Sequence, residues 1–156
     1  MDTVISFIAQ YLLFVAALIT FVFWLRLPNA DKASFAIRFA IAGIIAFLLA
    51  KAIGHFYFDT RPFVRMHETP LFPHAADNGF PSDHTLVAML AALVTALYSR
   101  KVGGILIICA LLIGIARIAA LVHSPIDILG SIVIAAVSVW IARLVQRRGN
   151  FKGSHA

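Results

Sequence analysis

Apolar residues in this chain fall in long unbroken runs rather than at amphipathic spacing. Val4 to Leu25 is 22 residues without a charge, enough as one helix to cross a bilayer core of about 30 Å. The run is too long for the core of a cleaved signal peptide, and Met1-Asp2 before it carries no positive side chain. Four further runs are less clean: Ala36–Phe58, Asp83–Ser99, Val102–Val122 and Pro125–Val145. Each has polar residues at one end, and Arg38, Lys51 and Arg117 fall inside the nominal boundaries. Between the second and third lies a polar loop, Asp59–Ser82, holding four of the six prolines. The pattern predicts an all-α polytopic membrane helix bundle with five transmembrane helices. It is a single domain over 1–156, with no internal repeat and a solvated tail at Arg147–Ala156.

Composition narrows the class. The hydrophobic fraction is 62% and charged residues are 13%, against about 45–50% and about 25% in ordinary soluble proteins. A soluble globule of 156 residues leaves too much of its surface exposed to hide that much apolar area. Disorder is excluded as well, since disordered chains are poor in aliphatics and rich in charge. The net charge of +6 does not require nucleic acid, because membrane proteins collect Lys and Arg on their cytoplasmic loops. Cys109, the single cysteine, lies in an apolar run, which leaves no disulfide framework and no thiolate metal cluster.

In a five-span arrangement Arg26, Lys32, Arg38, Arg100, Lys101, Arg143, Arg147, Arg148 and Lys152 fall on one side. Only Lys51, Arg61, Arg65 and Arg117 fall towards the other. The positive-inside rule puts the C-terminus in the cytoplasm and the N-terminus outside. Polar chemistry then gathers on the outer face, with six of the seven acids and five of the six histidines.

Three clusters carry that chemistry. Arg117 lies within a span, where a charge costs about 2.5–3.5 kcal/mol on insertion scales and normally faces a partner inside the bundle. Six residues on comes His123, and four after that Asp127. Ser124 suits an N-cap and Pro125 a first helical position, so Asp127 falls in the first turn of the fifth span. There it can complete a capping box with Ser124, or fix the tautomer of His123 and leave the other ring nitrogen free as a nucleophile. The second cluster is Phe80-Pro81-Ser82-Asp83-His84-Thr85. Ser82 reads as an N-cap, helix N-termini offer free N–H groups to anions, and His84 has the chemistry of a general acid. The third closes the second span: Lys51, Gly54, His55, Asp59 and Arg61-Pro62. Lys51 and Arg61 are cations that an anion would favour there, and that otherwise serve as interfacial anchors.

Together the clusters resemble the type 2 phosphatidic acid phosphatase (PAP2) superfamily, whose pattern is Lys-x6-Arg-Pro, Pro-Ser-Gly-His and Ser-Arg-x5-His-x3-Asp. Arg61-Pro62 matches the end of the first motif, Pro81-Ser82-Asp83-His84 the second apart from one position, and Arg117-x5-His123-x3-Asp127 the third. The motif-bearing core is 51–145. Three departures stand out. Ala116 replaces the family serine, Gly54 occupies the family lysine position with Lys51 three residues earlier, and Asp83 replaces the glycine. The last is a variant associated with the superfamily's bacterial undecaprenyl pyrophosphate phosphatases. The family usually has six spans, and five are read here.

The resemblance implies a phosphohydrolase without metal or cofactor. His123 is then the nucleophile that forms a phosphohistidine, Asp127 its orienting carboxylate and His84 the acid and base. Arg61, Arg117, Ser82, Lys51 and Asp83 form the phosphate-binding set. The implied substrate and partner is a lipid phosphate or pyrophosphate in the outer leaflet of the plasma or inner membrane, with no nucleic acid. Undecaprenyl pyrophosphate comes first, phosphatidic acid or phosphatidylglycerol phosphate second. Two other classes compete. A metalloenzyme would use His55, His67, His74, Asp59 and Asp77, but no pair has close helical His-x3-His spacing. A small channel or transporter would use the intramembrane charges as its pathway, but duplicated halves are not visible. His55, His67 and His74 read most simply as solvated loop side chains.

Overall fold

The computed structural model describes residues 1–153, with side-chain environments through residue 147. Six helices follow in order: α1 Asp2–Arg26, α2 Asn29–Phe56, α3 Pro62–Met66, α4 Asp83–Ala96, α5 Arg100–Ala119 and α6 Pro125–Gly153. Among the described residues the only β-type pairing is an isolated bridge between Thr60 and Asn78. Proline and serine set the boundaries. α1 stops before Pro28, because a proline disfavours helical geometry in the residue ahead of it. Ser99 caps α5 by accepting from the Val102 N–H at 3.4 Å, and α6 opens on Pro125, whose missing N–H costs nothing at a first helical position.

α1, α2, α5 and the Pro125–Arg147 part of α6 are long and apolar enough to span a membrane. α4, expected as the third of five spans, is shorter. Its 14 residues rise about 21 Å, less than a hydrocarbon core of about 30 Å. Burial explains how it can be short. Nine of those 14 residues are buried, against three of the 25 in α1. α4 packs on α1, α2, α5 and α6, so its length need not match the lipid. The outer helices instead turn large apolar side chains outwards, among them Phe14, Phe47, Ile108 and Trp140.

The seams between helices are lined by alanine: Ala42, Ala46 and Ala50 of α2, Ala88 of α4, Ala110 of α5, Ala135 and Ala142 of α6. Small residues let membrane helices approach closely where apolar burial alone gives little drive. At the end where α1 stops and α2 begins, polar groups tie helices together. The Trp24 indole donates to the Lys32 carbonyl, the Ser34 and Tyr98 hydroxyls are bonded, and Gln146 donates to the Ser34 carbonyl. α2 begins seven residues before the expected boundary, and the expected tail from Arg147 starts as helix, to Gly153; 154–156 lie outside the described residues.

Candidate active site

The site forms at the opposite end, where α2 and α5 stop and α4 and α6 start. The α5–α6 turn carries its central histidine. Leu121 in that turn takes φ = 64°, a left-handed conformation that costs a non-glycine residue about 1–2 kcal/mol. Two hydrogen bonds hold it: the Phe63 N–H donates to the Leu121 carbonyl at 3.0 Å and the Leu71 N–H to that of Ala120 at 3.4 Å. His123 follows, 3% exposed, with Asp127 fully buried beside it.

Asp127 contacts both Ser124 and His123. Its Oδ2 accepts from the Ser124 backbone N–H at 2.8 Å, one half of a capping box. The same oxygen lies 3.3 Å from Nδ1 of His123. That contact places the ring proton on Nδ1, because on the other side Nε2 faces only donors. Arg61 Nη1 stands 3.4 Å from Nε2 and Arg117 Nη2 3.3 Å. The lone pair of Nε2 thus points at two guanidinium groups. Burial, foremost, and the two arginines hold His123 below the ordinary histidine range against the pull of Asp127. Gly79 is required in this corner, since a Cβ there would come within 2.9 Å of Asp127 Oδ2 and 3.1 Å of the Asp59 carbonyl.

Both arginines are buried, at 5% and 4% exposure, and each is held differently. Arg61, just before α3, donates from Nη1 to the Val122 carbonyl at 2.6 Å, from Nη2 to that of Asn78 at 3.3 Å and from Nε to Asp77 at 2.8 Å. Arg117, in the last turn of α5, has one short bond, from Nη2 to Nε2 of His74 at 2.8 Å. The Phe72 ring lies 5.6 Å from its guanidinium carbon.

His84 and Asp83 open α4 and line the cavity together with Arg61, Arg117 and His123. Ser82 is the N-cap residue of α4 but makes no side-chain cap bond. Its hydroxyl is fully buried against that of Thr85 at 3.2 Å, and its carbonyl accepts from Ser131. The structure therefore does not bring the Ser82 hydroxyl to the cavity; Asp83 and His84 line it there instead. Lys51 lines the cavity from α2, its ammonium 5.8 Å from the Phe47 ring centre. The family lysine position, Gly54, is tight: a Cβ would meet the Phe80 carbonyl at 3.1 Å, and the Gly54 carbonyl accepts from Asn78.

The loop supplied more than the sequence indicated. Asn78 uses its whole amide, donating to the Gly54 and Tyr57 carbonyls and accepting from the Asp59 and Phe80 N–H groups. His74 and Asp77 were read as solvated or as metal-ligand candidates, and each instead grips an arginine. Their partners lie 43 and 16 residues away, a separation at which no local pattern gives a signal. Among the described residues no three His, Cys, Asp or Glu side chains gather as a metal-holding group.

Charge neutralisation around one imidazole, at the end of a membrane bundle, is the equipment of a membrane phosphatase. The chain belongs to the PAP2 superfamily, whose family model matches residues 33–150. It is 37% identical over 137 residues to the undecaprenyl-diphosphatase BcrC of Bacillus subtilis (strain 168), covering 88% of this chain and 70% of that protein. The putative undecaprenyl-diphosphatase YbjG of Escherichia coli (strain K12) is 32% identical over 140 residues, with 89% and 70% covered. Among solved structures, Aquifex aeolicus LpxE superposes with a TM-score of 0.72 at 26% identity, over 90% of this chain and 84% of that one. The PAP2 type phosphatidylglycerolphosphate phosphatase of Bacillus subtilis shares the fold at a TM-score of 0.61 and 20% identity, over 94% and 77%.

Proposed function

We propose that this phosphatase hydrolyses a polyprenyl pyrophosphate, undecaprenyl pyrophosphate first, to the monophosphate and inorganic phosphate in the outer leaflet. The observation that carries the mechanism is the convergence of Arg61 and Arg117 on Nε2 of His123. The Nε2 lone pair attacks the terminal phosphorus, and the bond from that phosphorus to the bridging oxygen breaks. His84 gives its proton to the departing polyprenyl phosphate, leaving a phosphohistidine. His84 then takes a proton from water as that water attacks the same phosphorus, releasing inorganic phosphate and restoring His123. Asp127 holds the Nδ1 proton throughout and stabilises the charge that develops on the ring. Arg61, Arg117 and the free N–H groups at the start of α4 hold the equatorial oxygens. Lys51, on the same wall, adds a cation for the second phosphate, and Asp83 sits beside His84 where protons are exchanged. Guanidiniums and helix N–H groups supply the charge stabilisation without a metal.

A lipid substrate is supported by the shape of the cavity, of about 830 Å³. From the polar end it continues between α2 and α4, from His55 to Phe39, about 24 Å along the helix at 1.5 Å per residue. Its apolar walls include Phe47, Val87 and Leu90. Likeness to the undecaprenyl-diphosphatase BcrC and the putative undecaprenyl-diphosphatase YbjG supports a diphosphate as the head group. Purified protein in detergent with EDTA should release inorganic phosphate from a polyprenyl pyrophosphate faster than from phosphatidic acid or phosphatidylglycerol phosphate. Preference for either glycerolipid would replace the substrate, and activity lost with EDTA would replace the mechanism.

A further inference from the structure

Arg117 is a buried cation with few restraints. Among the described residues its Nε is buried without a partner, Nη1 has only a 3.4 Å bond to the Ala9 carbonyl in α1, and Nη2 also lies 3.3 Å from Nε2 of His123. The short bond from Nη2 to His74 and the Phe72 ring therefore set the plane of its guanidinium. Arg61 does not depend on one contact in this way, since it has two carbonyls and Asp77.

His74 stands between the loop and the catalytic corner. Its ring is edge-on to that of His123, with centroids 6.1 Å apart, and it lines the cavity. An arginine nitrogen can only donate, so Nε2 of His74 accepts and its proton sits on Nδ1. The ring must be neutral to do this. Its surroundings favour that form: burial, then the charges of Arg61 and Arg117, lower its pKa to about 4, against an opposing pull from Asp77.

We propose that His74 is a positioning residue for phosphoryl transfer, a neutral acceptor that aims Nη2 of Arg117 at the oxygens of the group transferring to Nε2 of His123. This rests on His123 being the nucleophile. It assigns His74 no proton transfer and no bond to substrate. A side chain that accepts a hydrogen bond at the same place should therefore serve, and one that cannot accept should fail.

The test compares His74→Ala, His74→Gln and His123→Ala in detergent, with a polyprenyl pyrophosphate as substrate and inorganic phosphate as inhibitor. His74→Ala should lose about 10²-fold in kcat with KM changed far less, the scale of a misaimed catalytic contact. Inhibition by inorganic phosphate should weaken in the same variant. His74→Gln, whose amide oxygen accepts from Arg117, should recover most of both losses and also shows that the loop folds without the imidazole. A wild-type rate in His74→Ala, with His123→Ala inactive, would overturn the inference alone. Equal losses in Ala and Gln would also overturn it, because they would mean proton transfer or a ring-specific packing role. Turnover by His123→Ala would remove the nucleophile on which the inference stands.

Discussion

Nε2 of His123 is the one atom on which the arginines of two separate sequence motifs converge, 3.4 Å from Arg61 and 3.3 Å from Arg117. An imidazole so placed is useful only while it is neutral. The groups facing it are Arg61, Arg117, His74, His84 and Asp127; burial and the two arginines lower its pKa, and the carboxylate opposes them. Activity should accordingly survive to a pH below 6.5, the ordinary histidine value, and then fall as the nucleophile takes a proton. A kcat/KM profile over pH 4 to 8, about the range in which histidines titrate, checks this. A flat acid limb, or one that begins well above the ordinary value, would count against a histidine nucleophile. At this scale the sequence was informative where spacing carries geometry. Arg117, His123 and Asp127 sit at intervals that one turn and one helix start convert into contacts. Ser82 read well as a helix start but not as a phosphate donor, because its hydroxyl turns to Thr85 three residues on.

Among the elements, the outer helices were the most legible, because each is apolar on nearly every side and lipid accepts that. α4 was harder. Its composition resembles that of a spanning helix, but whether a helix faces lipid or other helices depends on what surrounds it, and four neighbours surround α4. The loop 57–82 was the least legible. Its order comes from contacts made at a distance, notably the four-way bonding of Asn78 and the grip of Asp77 on Arg61. The Phe80 carbonyl and the Asn78 amide also crowd Gly54, so a lysine there would need Phe80 to give way. The departure from the family's first motif is thus one of packing as well as sequence.

For the whole molecule, the cations divide between the two ends of the bundle, and the proposed catalytic residues share the end with fewer. If the orientation follows positive-inside charge, cysteines placed in the 59–82 loop should be labelled by an impermeant reagent from outside intact cells, while cysteines near Lys101 should not. The reverse would move hydrolysis to the cytoplasmic leaflet. In the proposed mechanism the bundle, the loop and the two arginines all bear on one covalent event, a phosphoryl group carried on His123. The most direct measurement is a rapid quench of the purified protein with a polyprenyl pyrophosphate radiolabelled in its terminal phosphate. An acid-labile phosphoprotein in the wild type, absent from His123→Ala, is the predicted result. Unchanged labelling and turnover in His123→Ala would contradict the account.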